Sequence, residues 1–118
     1  MPQQDRKIDY LEFPARDFRA TREFYQRLFG WVFTAYGDDY LAFNDGKLDG
    51  GFYLSELSAT TSQGSALVVM YAENLEQVFD EVVASGGAIL KPIFSFPGGR
   101  RFQFADPNGN ELAVWSDK

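Results

Sequence analysis

The sequence predicts an α+β fold built from two strand–helix–strand–strand–strand halves in tandem. Three observations predict it. A helix cap, an apolar stripe and a stopping glycine occur twice at one spacing, Asp17 to Gly30 and Asn74 to Gly87. Each such stretch is flanked by period-two alternation or a short apolar run, the patterns of strands. Clusters of Gly, Pro, Asn and Asp punctuate the remainder as turns. Two copies are too few for a stacked solenoid, so one pseudo-symmetric domain over 1–118 is expected, with halves at about 6–57 and 64–117.

Residues 1–7 are a polar lead-in, expected to fray. The first strand alternates over 8–13 and is expected to stop at Pro14. Asp17 can accept from the free N–H groups of a first helical turn. Phe18, Thr21, Phe24, Tyr25, Leu28 and Phe29 then recur at helical spacing as one buried stripe, and Gly30 can take the left-handed conformation that ends it. Strands follow at 31–36, 40–43 and 50–54, separated by Gly37-Asp38-Asp39 and Asn44-Asp45-Gly46. Gly50 and Gly51 weaken the last of these. Residues 55–65 are small and polar, a linker. The second half opens with a strand at 66–71. Its helix is capped by Asn74, striped by Leu75, Val78, Phe79, Val82 and Val83, and stopped by Gly86 and Gly87. Strands at 88–94, 100–105 and 111–115 complete it, with turns at Pro97-Gly98-Gly99 and Asp106-Pro107-Asn108-Gly109-Asn110.

Composition excludes several chemistries. With no cysteine there is no disulfide framework, thiolate zinc site or thiol nucleophile. With no histidine the commonest metal ligand and the commonest neutral-pH base are missing, and a Ser-His-Asp triad is impossible. A net charge of −6 argues against a nucleic-acid surface and is compatible with a cationic ligand, although acidity often serves only solubility. No apolar run approaches the roughly 18 residues that cross a bilayer. The start, MPQQDRK, has no signal-peptide core, so a cytoplasmic protein is expected.

The order βαβββ twice, the stretch Phe24-Tyr25 with Leu28-Phe29-Gly30-Trp31, the Gly86-Gly87 stop and the Asp106-Pro107-Asn108-Gly109-Asn110 turn together resemble the vicinal oxygen chelate superfamily. That group includes glyoxalase I, extradiol dioxygenases and bleomycin-resistance proteins. The resemblance covers about residues 7–116. It implies that the halves form a curled mixed sheet around a central cleft. In metal-dependent members four side chains from the first and last strands of each half hold a divalent ion there. Carried over, those positions are Tyr10, Leu67, Ala113 and one near residues 50–56, where Glu56 is the only carboxylate candidate. Leu and Ala ligate nothing and neutral Tyr is a poor ligand, so no metal and no cofactor are expected, a divalent metal being the alternative. Family members usually dimerise. Exposed strand edges also invite pairing, so a homodimer is expected.

Strand parity places Glu12 with Tyr10, and Glu111 and Trp115 with Ala113. Tyr10, Glu12, Phe52, Tyr53, Tyr71 and Trp115 are the candidate ligand-binding residues of one aromatic, acidic pocket; the other aromatics, mostly Phe, read as core. Glu12 reads equally as a functional carboxylate or as the partner of Arg16 or Arg101. Glu111, directly after a turn, reads as solvated. The segment 97–101 reads as a plain hairpin turn, with anion binding through Arg100 and Arg101 beside it. The expected function is metal-free binding of a small, cationic compound. A metal-dependent lyase, isomerase or dioxygenase around Glu12, Glu56 and Glu111 is the alternative, and a regulatory domain without a small ligand is the third reading.

Overall fold

The computed structural model describes residues 3–118. Of the polar lead-in, Met1 and Pro2 lie outside the described residues, and 3–9 carry no helix or strand. The first module runs β1 (Tyr10–Ala15), α1 (Phe18–Phe29), β2 (Val32–Ala35), β3 (Tyr40–Asn44) and β4 (Asp49–Leu54). The second runs β5 (Val68–Tyr71), α2 (Leu75–Ala84), β6 (Ala88–Phe96), β7 (Gly99–Ala105) and β8 (Glu111–Ser116). Each module has its own four-stranded mixed sheet, in the orders β1-β4-β3-β2 and β5-β8-β7-β6. In both, the first strand lies parallel to the last and the other pairings are antiparallel. The tandem α+β modules are those the sequence predicts.

The helix signals act as local physics requires. Asp17 Oδ1 accepts from the Ala20 N–H and Asn74 Oδ1 from the Gln77 N–H, each satisfying a first-turn donor. Gly30 ends α1 at φ 68°, where a side chain would strain the backbone. The stripe of α2 is narrower than expected, because Val83 is 52% exposed while Leu75 and Val82 are buried. Pro14 does not stop β1, which continues to Ala15. Pro lacks an N–H, but β1 is an edge strand and needs donors on one side only.

Alternation divides each sheet into a helix-packed face and an open face. In the first module Phe13, Leu41, Phe43 and Phe52 share the helix-packed face, with Phe13 opposite Phe52 and Leu41 opposite Phe52 in register. Tyr25 stacks on Trp31 at 4.4 Å and Trp31 on Phe43 at 4.3 Å. In the second, Phe102 and Phe104 play the same part, Phe79 meeting Phe102 edge-on at 5.1 Å. Phe104 lies 6.0 Å from Phe24 and 6.4 Å from Phe29, so the two cores are one continuous cluster. Each such phenylalanine, fully buried, stabilises the fold by roughly 1.5–3 kcal/mol.

The turn after β7 locks the modules together. Asp106, Asn108 and Asn110 are buried, although the sequence reads there only as a turn. The Tyr25 hydroxyl donates to Asp106 Oδ2 at 2.8 Å. Asn108 donates to Thr21 Oγ1 and accepts from the Arg16 and Asp17 N–H groups. Asn110 donates to the Pro14 carbonyl and accepts from the Ala59 N–H. Burial raises the Asp106 carboxyl above its usual range, against the four hydrogen bonds it accepts from Tyr25, Asn108 and Asn110.

Candidate functional site

The open face of the first module carries Tyr10, Glu12, Tyr40, Gly51 and Tyr53, by register across β1, β4 and β3. The Tyr40 hydroxyl donates to Glu12 Oε2 at 2.8 Å, and the Tyr10 and Tyr40 oxygens are 2.7 Å apart. Tyr40 has one proton and spends it on Glu12, so Tyr10 is the donor to Tyr40. The result is a directed chain, Tyr10 to Tyr40 to Glu12. Partial burial, then the bonds with Tyr10 and Glu12, push the Tyr40 phenol well above the usual value of 10.0.

Gly51 makes this chain possible. It sits opposite Glu12 in β1 and Ala42 in β3, and Tyr40 reaches across it. A Cβ at Gly51 would lie 2.0 Å from the Tyr40 hydroxyl oxygen. A glycine inside a strand marks such a close approach, the signal by which Tyr40 was legible; reading the glycines only as a weakness missed it. Glu12 forms no ion pair among the described residues. Arg16 lies instead against Glu56 at 3.8 Å, and Arg101 donates to Gln103 at 3.2 Å.

Phe52 is a correction. It was expected in the cleft, but it is 0% exposed and packs on Phe13 at 5.5 Å on the opposite face. Adjacent strand residues point to opposite faces, and Tyr53 takes the open one. Tyr71 and Trp115 lie on the second module's open face, edge to face at 5.3 Å. Tyr71 is 46% exposed and donates to Asp117 Oδ1 at 2.6 Å. That bond raises the Tyr71 phenol and lowers the Asp117 carboxyl. The expectation of one shared pocket is also corrected. Among the described residues no hydrogen bond or ring contact joins Tyr10, Glu12 or Tyr53 to Tyr71 or Trp115. A groove of about 850 Å³ between the modules is lined by Leu11, Trp31, Val69, Tyr71 and Trp115 among others, but by neither Tyr10 nor Glu12. Leu11 lines the groove and Tyr10 and Glu12 do not, because neighbouring residues of β1 point to opposite faces.

Glu111 is not solvated. It is 8% exposed, and its Oε1 accepts from the Thr61 N–H and hydroxyl, both at 2.8 Å. Its Oε2 accepts from Gln103 Nε2 at 2.6 Å. The Thr61 N–H chiefly, opposed by burial, lowers its carboxyl below the usual range. The linker supplies this partner through a short 3₁₀ turn, Thr61–Gln63, folded over the start of β8.

The family's ligand positions do not fit a divalent ion. Tyr10 is engaged with Tyr40, Leu67 has no donor atom, and Ala113 is buried. The Glu56 side chain is 89% exposed beside Arg16, beyond the end of β4. Among the described residues no group of three or more acidic side chains could hold a metal.

Known proteins agree with the architecture. The structure of a family enzyme from Burkholderia phytofirmans superposes with a TM-score of 0.77 at 18% identity, covering 94% of this chain and 100% of that one. The fosfomycin resistance protein FosX from Listeria monocytogenes gives 0.79 at 14% identity, covering 96% and 94%. A FosX mutant complexed with Mn(II) and 1S,2S-dihydroxypropylphosphonic acid gives 0.78 at 15%, covering 94% and 90%. In sequence, CFP32 from Mycobacterium tuberculosis, a glyoxylase by name, is 21% identical over 125 residues. That match covers 91% of this chain, which spans 44% of the relative's length. Residues 7–114 match the model of the Glyoxalase/Bleomycin resistance protein/Dioxygenase superfamily, and the chain belongs to that family.

Proposed function

We propose that this chain binds a small cationic aromatic compound without a metal, on the open face of the first module, with Glu12 as the anchor. The observation that carries the reading is the Tyr10–Tyr40–Glu12 chain, which orients a carboxylate without an ion pair among the described residues on an exposed tyrosine-lined surface. Tyr10 and Tyr53 offer ring faces, and a cation over such a ring gains about 0.5–2 kcal/mol depending on desolvation. A charge-assisted bond to Glu12 adds to that. In this reading residues 1–118 form one domain and the protein is a cytoplasmic homodimer. The unpaired edges of both sheets, with Val32 on β2 and Leu90 on β6 exposed, support the pairing. A second chain would then cover an open face that one chain leaves bare. Light scattering giving a mass near 13.4 kDa would remove the dimer.

Titration calorimetry with benzamidine, on wild type and Glu12→Gln, tests the anchor. The variant is expected to bind about ten-fold or more weakly, as loss of a charge-assisted contact requires. Equal affinities would discard Glu12. The FosX mutant with Mn(II) favours a second reading, a metal-dependent lyase, isomerase or dioxygenase of the same superfamily. Elemental analysis separates the two: one Mn, Fe, Ni or Zn per chain, retained after mild chelation, would put the enzyme first.

A further inference from the structure

The second module's open face carries a guanidinium, Arg101, that the fold holds in place and that forms no ion pair among the described residues. Arg6, Arg16, Arg19, Arg100 and Lys118 each lie within ion-pair distance of a carboxylate. Arg101 does not. Its guanidinium carbon sits 5.3 Å from the centre of the Phe94 ring. Its Nη2 donates to Gln103 Oε1 at 3.2 Å, while its Nε is sealed from solvent and has no acceptor among the described residues.

This arrangement is built from below. Gln103 is 2% exposed and has one rotatable amide with two uses. Its N–H side is committed to Glu111 at 2.6 Å, so its carbonyl side must face Arg101. Glu111 is itself pinned by Thr61. The one carboxylate near Arg101 on these strands is thus satisfied, and the amide stands between it and the guanidinium. Lys91 lies opposite Gln103 in register, and its charge acts on Glu111, so the one carboxylate of these strands is matched by Lys91 and not by Arg101. Trp115 stands opposite Arg101 in β8.

We propose that Arg101 is an anion-binding residue and that this face takes a carboxylate attached to an aromatic ring, the carboxylate on the guanidinium and the ring against Trp115. A guanidinium pairs with a carboxylate through two parallel N–H bonds, and with Nε sealed and one Nη2 hydrogen on Gln103, the outer edge formed by Nη1 and Nη2 is the one left for a ligand. The Phe94 ring, 5.3 Å from the guanidinium carbon, restrains the side chain, so less freedom is lost when a ligand docks. Arg100, its neighbour, points to the other face and is occupied by both oxygens of Glu76, which removes it from the site. The proposal goes beyond the Glu12 reading and does not rest on it.

The test uses benzoate as the probe, followed by tryptophan fluorescence and by calorimetry. Wild type is expected to bind it. Arg101→Met is expected to bind about ten-fold or more weakly and Arg101→Lys to fall between, because Lys keeps the charge and loses the fork. Glu12→Gln is expected to leave benzoate affinity unchanged, which separates this site from the one that takes benzamidine. Circular dichroism checks that each variant folds, and Arg101→Lys decides the matter where Arg101→Met does not. No benzoate binding by wild type, equal affinity in the folded variants, or a loss caused by Glu12→Gln would overturn the proposal.

Discussion

The open faces of the two modules have one topology and opposite electrostatics. In the first, Glu12 is exposed and held by a tyrosine hydroxyl alone. In the second, Glu111 is buried under the linker, held by a backbone N–H, a threonine hydroxyl and a glutamine amide. Among the described residues, the first face therefore presents a carboxylate outside any ion pair, Glu12, and the second presents a guanidinium outside any ion pair, Arg101. The strand order is common to both because backbone pairing and a buried aromatic face specify it. The exposed positions are free of that constraint, so each face can acquire its own chemistry.

The largest expected effect tests which face is which. Phe52→Ala opens a cavity against Phe13 and Tyr25 and is expected to cost about 3–5 kcal/mol in chemical denaturation. Whatever stays folded should bind benzamidine as wild type does. A small stability loss with a large binding loss would return Phe52 to the open face.

Glu111→Gln sharpens the contrast in burial. Losing the charge that Thr61 stabilises is expected to cost about 1–2 kcal/mol at neutral pH. The Glu111 carboxyl is lowered in the folded state, so its contribution is complete above the usual value of 4.5 and disappears as pH falls through the lower folded one. The gap between wild type and variant should close across that acid window. A gap that is constant with pH would mean that packing, not charge, is at stake.

The smallest effect belongs to the exposed chain. Tyr40→Phe is expected to cost no more than about 1 kcal/mol, one hydroxyl on an open surface. Its phenol is raised in the folded state, so the contribution is whole below the usual 10.0 and is lost as pH rises beyond it. Ultraviolet titration should therefore show Tyr40 ionising above the bulk tyrosines in wild type and at a lower pH, still above the bulk, in Glu12→Gln, because burial and the Tyr10 bond remain.

How much of this was legible residue by residue follows from the range of the forces. Both helices could be read to their caps, because Asp17 and Asn74 act three residues along the chain. The parity of β1 gave Tyr10 and Glu12 a common face. On β4 the same parity separates Phe52, buried, from Tyr53, exposed, because neighbours cannot share a face. Pro14 misled because a missing donor matters only on a paired side, and sequence does not say which strand is at an edge. Tyr40 was overlooked because its reason for being there, Gly51, lies on another strand.

Local periodicity, caps and glycines by themselves determined the two modules, their helices and most of their strands, since these depend on interactions within a few residues. Tertiary structure alone decided which polar groups meet. Tyr40 reaches Glu12 across 28 positions, Thr61 reaches Glu111 across 50, and Tyr25 reaches Asp106 across 81. The turn that reads as a loop is a buried lock, and the glutamate that reads as solvated is covered by the linker. Strand pairing and helix packing bring distant segments to one place, and a side chain's partner, charge state and exposure are properties of that place.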